Sequence, residues 1–134
     1  MVFYKPITER MEIQRLFPSA DLSPEKTVGA YVAEENGVSC GKCMVEIDGQ
    51  SCEISHLTVA NDDPLFTEGL LRSALHFAGN RNAYMAVCRE NAYRDVLLLL
   101  GFSEQDGIFC GDIPTLLMGS CCKVRRVEHN MPKI

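Results

Sequence analysis

The spacing of apolar and polar positions along the chain indicates two kinds of element. Residues 27–33, 38–47 and 50–59 alternate or run apolar over strand lengths, which predicts three consecutive strands. The dipeptides Asn36-Gly37 and Asp48-Gly49 lie between these segments, and both are typical of two-residue hairpin turns. The pattern therefore predicts an antiparallel meander in the middle of the chain.

The period becomes helical after the meander. Between Pro64 and Ala78, leucines and alanines recur on one stripe at helical spacing. Asp63 is a suitable N-cap, Pro64 suits the first helical position, and Gly79-Asn80 is expected to end the helix. We therefore predict a helix over 64–78.

The remaining segments complete the order of elements. Thr8 is a suitable N-cap for a helix that runs through Phe17. Other segments have strand or helix patterns of ordinary length: a strand over 2–6, a buried strand over 83–88, a helix over 91–100, and two short strands near 102–110 and 113–118.

The resulting order, β-α-βββ-α-β-α-β(β), belongs to the α/β (α+β) class. It implies a mixed, largely antiparallel central sheet with helices on both faces. The right-handed crossover expected of a strand–helix–strand unit would place strands 50–59 and 83–88 parallel and adjacent, splayed at their C-terminal ends.

Composition limits the class of protein. A chain of 134 residues is expected to form one domain over 1–120, followed by a C-terminal tail over 121–134. The net charge of −5 argues against nucleic acid or an anionic membrane as a partner. The apolar run Val96–Leu100 is too short to span a bilayer, and no secretory signal is visible. We therefore expect a cytoplasmic protein with reduced cysteines.

Cys40 and Cys43 have the C-x-x-C spacing of zinc and redox sites. In a strand, however, positions three apart face opposite sides of the sheet, and no second pair stands at metal spacing. We therefore expect no metal site, and interpret these residues as small, partly buried side chains. A thiol or metal sensor built on the cysteines is a weaker alternative.

The order and spacing of the elements over 2–118 resemble those of the GNAT superfamily of N-acetyltransferases. The most specific stretch runs from Glu53 to Phe102. It contains an L-x-V strand end at Leu57-Thr58-Val59, then helix, strand and helix, and finally Gly101-Phe102. The resemblance implies acetyl-CoA as acyl donor and a small-molecule or protein amine as acceptor. The oligomeric state is not fixed by the sequence, and a homodimer is one of the alternatives.

The phosphate-binding loop of the family, Q/R-x-x-G-x-G/A, is not conserved in this chain. Its positions fall on Asp62, Leu65 and Thr67, and none of them matches. Either the loop is rebuilt or lost, or Thr67-Glu68-Gly69 supplies part of it. By resemblance, the contacts to CoA are assigned to residues of the L-x-V strand, the following helix and the last helix: Leu57, Val59, Leu65, Thr67, Gly69 and Asn91.

Two residues are candidates for proton transfer. Glu53 lies on the strand where some members of the family carry a general base, although an exposed strand glutamate is the alternative. His56 is three residues further along and is expected to face the other side of the sheet. Tyr93 could replace the general-acid tyrosine, whose usual position holds Leu97, or could be a packed core tyrosine.

The sequence thus predicts a GNAT-type acyltransferase that moves an acetyl group from acetyl-CoA to an unidentified amine. The alternative is a catalytically inactive GNAT-like domain that binds a ligand or a partner. The first needs a working cradle for CoA, whereas Asp62 and Asp63 favour the second.

Overall fold

The computed structural model describes residues 1–118, so the predicted tail over 121–134 lies outside the described residues. Seven strands form one sheet: β1 Val2–Ile7, β2 Thr27–Glu35, β3 Val38–Asp48, β4 Ser51–Val59, β5 Met85–Cys88, β6 Ser103–Gln105 and β7 Ile108–Asp112. The helices are α1 Arg10–Leu16, α2 Pro64–Gly79, α3 Arg94–Leu100 and α4 over 113–118, with short 3-10 turns at Ala60–Asp62 and Asn91–Tyr93.

The strands lie in the order β1-β2-β3-β4-β5-β7-β6. Every neighbouring pair is antiparallel except β4 and β5, which are parallel. The prediction that strands 50–59 and 83–88 are parallel and adjacent is therefore confirmed. The predicted mixed and largely antiparallel sheet is confirmed as well.

Helices cover the two faces of the sheet unequally. On one face, α2, α3 and α4 bury a continuous core, in which Leu71, Leu75 and Leu97 are fully buried. On the other face, α1 and Phe17, which follows it, pack mainly on β1, β2 and β3, and the Phe17 ring also reaches His56 in the second half of β4. Among the described residues, the second face of β5 and of the first half of β4 is therefore left open to a cleft.

Turn chemistry and capping explain why the elements begin where they do. Asn36 and Gly37 both have positive φ, as a two-residue hairpin turn with the right twist requires. The second turn is shifted by one residue from the prediction: Asp48 pairs with Ser51, so the turn residues are Gly49 and Gln50. The predicted helix over 64–78 is confirmed, with Pro64 at its start.

Two predicted elements differ in the structure. The first helix begins at Arg10, and Glu9 rather than Thr8 stands at its N-cap without a side-chain hydrogen bond. The segment 113–118, predicted to be a strand, is a helix. Its N-terminus is capped by Asp112, whose carboxylate accepts a hydrogen bond from the Thr115 N–H at 3.0 Å. The two short strands instead form a hairpin over 103–112.

A β-bulge interrupts β4 at His56. Met44 of β3 pairs with Ser55 and Lys42 pairs with Thr58, so two residues of β4 stand opposite one residue of β3. His56 adopts a φ of 52°, in the left-handed region. Because a bulge bends its strand, the second half of β4 is turned away from the line of the first half.

No helix within residues 1–118 has both the length and the apolar content needed to cross a membrane.

The close approach of α2 to the sheet gives a test of the fold. A Cβ added at Gly29 of β2 would collide with the ring of Phe77 of α2. We expect Gly29→Ala to lower the free energy of unfolding by about 1–3 kcal/mol, as overpacking does. In a Phe77→Leu background the same change should cost less, because the smaller side chain leaves room. Denaturant unfolding of the four proteins measures this coupling, and additive effects would contradict the close contact.

Candidate functional site

A cavity of about 260 Å³ opens on the face of the sheet that α1 leaves uncovered. Its lining is mostly polar and comes from β3, β4, β5 and the segments beside them: Lys26, Glu46, Asp48, Ser51, Cys52, Glu53, Val87 and Arg89. The predicted base Glu53 is thus part of a cavity wall. Strand alternation places it there, because every second residue of β4 faces this side.

The carboxylate of Glu53 lies between an acidic and a basic neighbour. Glu46 of β3 is its direct cross-strand partner, so two carboxylates face the cavity side by side. Arg89, which follows β5, forms an ion pair with Glu53, with 2.6 Å between Nη1 and Oε2. Both side chains of the pair are about half exposed, so the pair contributes at most about 1 kcal/mol to stability.

The pairing between β4 and β5 ends beside this cavity. Their parallel register runs from Ser51–Met85 to Ile54–Cys88 and ends there, while β4 continues to Val59. Beyond that point, backbone N–H groups of β4 are bound by side chains rather than by a strand. The His56 N–H donates to Oε2 of Glu90 at 3.1 Å, and the Val59 N–H donates to the Tyr93 hydroxyl at 3.1 Å.

Tyr93, the predicted acid, lies with its ring in the core and its hydroxyl in this gap. The side chain is only 7% exposed. Burial, and after it a hydrogen bond to the Asp62 carboxylate, raises the pKa of the Tyr93 hydroxyl above its usual value. The hydroxyl therefore keeps its proton at neutral pH, while its oxygen accepts the Val59 N–H.

The turn before α2 is acidic, and its two aspartates have different roles. Asp63 is the N-cap, as predicted, and its Oδ1 accepts the Leu65 N–H at 2.8 Å. Asp62 has a φ of 48°, and its carboxylate contributes to the raised pKa of the Tyr93 hydroxyl. The buried Thr67 donates its hydroxyl to the Asp63 carbonyl at 2.8 Å. The first turn of α2 thus satisfies its own polar groups.

The other residues assigned to CoA lie in different surroundings. Leu57 and Val59 point into the core, whereas Leu65 is 75% exposed. A Cβ at Gly69 would collide with the ring of Tyr4, so this glycine permits β1 to pack on α2. The Asn91 amide donates to the Gly107 carbonyl at 3.3 Å. The structure therefore brings Val59 next to Tyr93, while Asn91 contacts the β6–β7 turn.

The prediction that His56 faces away from Glu53 is wrong. The rings of His56 and Phe17 lie 5.6 Å apart, on the side of the sheet that α1 covers. Glu53 faces the same side, because its row in the sheet includes Val28, which packs with Phe17. The bulge at His56 breaks the strand alternation and so reverses the expected orientation.

Two residues of this site escaped the sequence analysis, namely Arg89 and Glu90. They follow β5 directly, and charged residues at the end of a buried strand are a signal for a site at a sheet edge. What each of them contacts depends on β4, which lies more than thirty residues earlier in the chain.

The cysteines do not form a metal centre in the part of the chain that the structure describes. No group of three or more His, Cys, Asp or Glu side chains within residues 1–118 is placed to hold a metal ion. The five cysteines in this range are free thiols. Burial raises the pKa of Cys43 and of Cys52 to about 12, so these two thiols are unreactive at neutral pH.

Comparison with known proteins gives structural matches alone. No protein-family model matches the chain, and no curated protein matches it by sequence. Its fold matches the IAA acetyltransferase of Bacillus cereus with a TM-score of 0.62 and 16% identity, over 84% of this chain and 99% of the other. It also matches the ribosomal-protein-S18-alanine N-acetyltransferase of Escherichia coli with a TM-score of 0.62 and 13% identity, over 84% of this chain and 94% of the other. A GNAT-family acetyltransferase of Staphylococcus aureus matches with a TM-score of 0.60 and 8% identity, over 84% of this chain and 99% of the other.

These matches cover nearly the whole of each acetyltransferase. The chain therefore has the fold of the GNAT N-acetyltransferases. At 8–16% identity, the likeness establishes the fold and leaves the donor, the acceptor and the activity to be argued from the site.

The acidic turn before α2 gives the second test. We expect Asp63→Ala to lower the free energy of unfolding by about 1 kcal/mol, because the Leu65 N–H loses its acceptor. Asp63→Asn is the matched control and should stay within about 0.5 kcal/mol of the original, since asparagine is an equally good N-cap. Urea unfolding of both variants measures the difference, and equal losses would indicate that charge matters more than capping.

Proposed function

We propose that this protein is an N-acetyltransferase that transfers an acetyl group from acetyl-CoA to an amine, in the cytoplasm. The proposal rests on one observation: the parallel pairing of β4 with β5 ends beside the cavity that Glu53 lines. The gap between the two strands thus begins one residue beyond Glu53, which lines the polar cavity on the open face of the sheet. The free thiols of the described cysteines fit a reducing compartment.

The residues of the cleft fit one part of acetyl-CoA better than another. The N–H groups of His56 and Val59 point into the gap and suit the amide carbonyls of an extended arm. The carboxylates of Asp62 and Asp63 do not suit the phosphates. Acetyl-CoA supplies the activated acyl group when it is bound. The chain would hold it through the backbone of β4 at Leu57 and Val59 and through the start of α2 at Leu65 and Thr67. Gly69 packs against Tyr4 and Asn91 contacts the β6–β7 turn, so these two residues do not suit the role that the resemblance gives them.

The side chains of this site have complementary tasks in the proposed reaction. Glu53 accepts a proton from the ammonium form of the acceptor, so that the free amine can attack the acyl carbon. Glu46 stands opposite Glu53 and attracts the same ammonium group. Tyr93 keeps its proton at neutral pH and would supply it to the CoA sulfur as the new C–N bond replaces the C–S bond. The second proton that the acceptor nitrogen loses on forming the amide would then restore the Tyr93 hydroxyl. Arg89 holds Glu53 in place until the amine arrives.

The acceptor is expected to be a small-molecule or protein amine. The open cavity has three carboxylates, from Glu46, Asp48 and Glu53, against two cations, Lys26 and Arg89, and this acidic excess favours an amine that arrives positively charged.

A glutamine at position 53 tests the base. We expect Glu53→Gln to lower the turnover of acetyl-CoA in the presence of an acceptor amine by about 10²-fold or more, because the general base is lost. Stability should fall by less than about 1 kcal/mol, since only the exposed pair with Arg89 is broken. Thiol release, followed over a panel of amines, is the measurement.

Glu46→Gln is the matched control for this experiment. It removes the neighbouring carboxylate on the same cavity wall, so it should raise KM for the amine and leave most of kcat. Equal kcat in the original protein and in Glu53→Gln, with the acceptor saturating, would remove Glu53 from the reaction.

A second function is favoured by a separate observation. The turn Ala60–Asp62 and the N-cap Asp63 place two carboxylates at the start of α2. The Asp63 carboxylate already accepts the Leu65 N–H, which a phosphate would otherwise bind. Repulsion of phosphate by such carboxylates costs about 1 kcal/mol each at moderate ionic strength. A GNAT-fold domain of this kind would bind a ligand or a protein partner without turnover.

Removing one charge distinguishes the two functions. We expect Asp62→Asn to tighten acetyl-CoA binding by about fivefold, because one repulsive carboxylate is gone. Asparagine tolerates the left-handed backbone of residue 62, so the turn is preserved. Titration calorimetry with acetyl-CoA measures the change, and Asp106→Asn in the distant β6–β7 turn is the control. Absence of binding in every form would favour the binding module.

A further inference from the structure

The gap between β4 and β5 is filled by the chain itself. Residues of β4 beyond Ile54 lose β5 as a partner, so their backbone N–H groups need other acceptors. Two of these groups are satisfied by side chains that follow β5: the His56 N–H by Glu90, and the Val59 N–H by Tyr93. The side chains thus take the place that a further strand, or an extended ligand, would occupy.

The geometry of each contact is well defined. The Glu90 oxygen lies 3.1 Å from the His56 nitrogen, and a carboxylate is a stronger acceptor of an N–H than an amide carbonyl is. Glu90 is half-buried and immediately precedes the turn Asn91–Tyr93, so its position is set by the same turn that places Tyr93. The Tyr93 hydroxyl accepts the Val59 N–H at 3.1 Å, so both contacts across the gap come from the same short segment.

An acyl-CoA entering this gap would compete with Glu90 for the same hydrogen bond. Extended ligands bind a free strand edge by accepting its N–H groups, and the arm of CoA carries amide carbonyls that can do so. In the present chain the ligand would exchange one acceptor for another at His56 and would gain no new hydrogen bond there. Its affinity would therefore lie below that of a cleft whose N–H groups are free.

We propose that Glu90 is an affinity-determining residue: its carboxylate is an internal competitor that acyl-CoA must displace from the His56 N–H. This inference rests on the proposed acyltransferase function. It assigns to Glu90 a task in binding that is separate from the proton transfers of Glu53 and Tyr93.

The test compares Glu90→Ala with Glu90→Gln. Alanine leaves the His56 N–H without an acceptor, so an incoming carbonyl gains a full hydrogen bond, and titration calorimetry should show acetyl-CoA binding tightened by about tenfold. Glutamine retains an acceptor oxygen and should stay within about threefold of the original protein. Glu104→Ala, which alters only the ion pair with Arg94, is the control and should change nothing.

Amide hydrogen exchange supplies a readout that does not depend on acetyl-CoA. In Glu90→Ala the His56 amide should exchange about tenfold faster or more, while the Val59 amide, bound to Tyr93, serves as an internal reference and should not change. Unchanged exchange at His56 would overturn the proposal, as would unchanged or weaker acetyl-CoA binding in Glu90→Ala.

The remaining outcomes separate the competitor from the proposed function. If Glu90→Ala and Glu90→Gln tighten acetyl-CoA binding equally, the charge of Glu90 rather than its hydrogen bond to His56 weakens binding. That result would overturn the proposal that the hydrogen bond is the competing contact. If exchange at His56 rises and neither the original protein nor any variant binds acetyl-CoA, the acyltransferase function fails, and with it the claim that acyl-CoA is what Glu90 excludes.

Discussion

The structure of the site depends on one constraint, which is that backbone N–H groups inside a protein must find acceptors. β4 has β3 on one side over its whole length but β5 on the other side for only four residues. The N–H groups released at His56 and Val59 are bound by Glu90 and Tyr93. The cleft, the turn after β5 and the acidic turn before α2 are thereby linked into one network.

The sheet carries its chemistry on one face because the helices are unequally distributed. Three helices bury the first face, whereas α1 and Phe17 cover the first three strands and the end of β4 near His56 on the second face. Glu46 and Glu53 lie on the uncovered part, where carboxylates can remain hydrated and still meet a ligand. A fold shared with N-acetyltransferases thus combines a gap between β4 and β5 that side chains occupy with an open, polar cavity beside it.

Local chemistry made much of this fold predictable. Asn36-Gly37, Asp63 and the stripe along α2 each act within a few residues, and the structure agrees with each of them. The helix over 113–118 was also signalled locally, by Asp112 as a cap and by Pro114 in the first turn, but its short apolar run was interpreted as a strand. The roles of Arg89 and Glu90 could not be predicted, because their partners are set by sheet register rather than by neighbours in sequence.

The bulge at His56 means that β4 has two phases. Before it, even-numbered residues such as Cys52 and Ile54 point into the core, and after it odd-numbered residues such as Leu57 and Val59 do so. The bend that the extra residue introduces falls just beyond Ile54, where the pairing of β4 with β5 ends. One additional residue in β4 therefore lets Glu53 and His56 share one face of the sheet while Ile54 and Leu57 share the other.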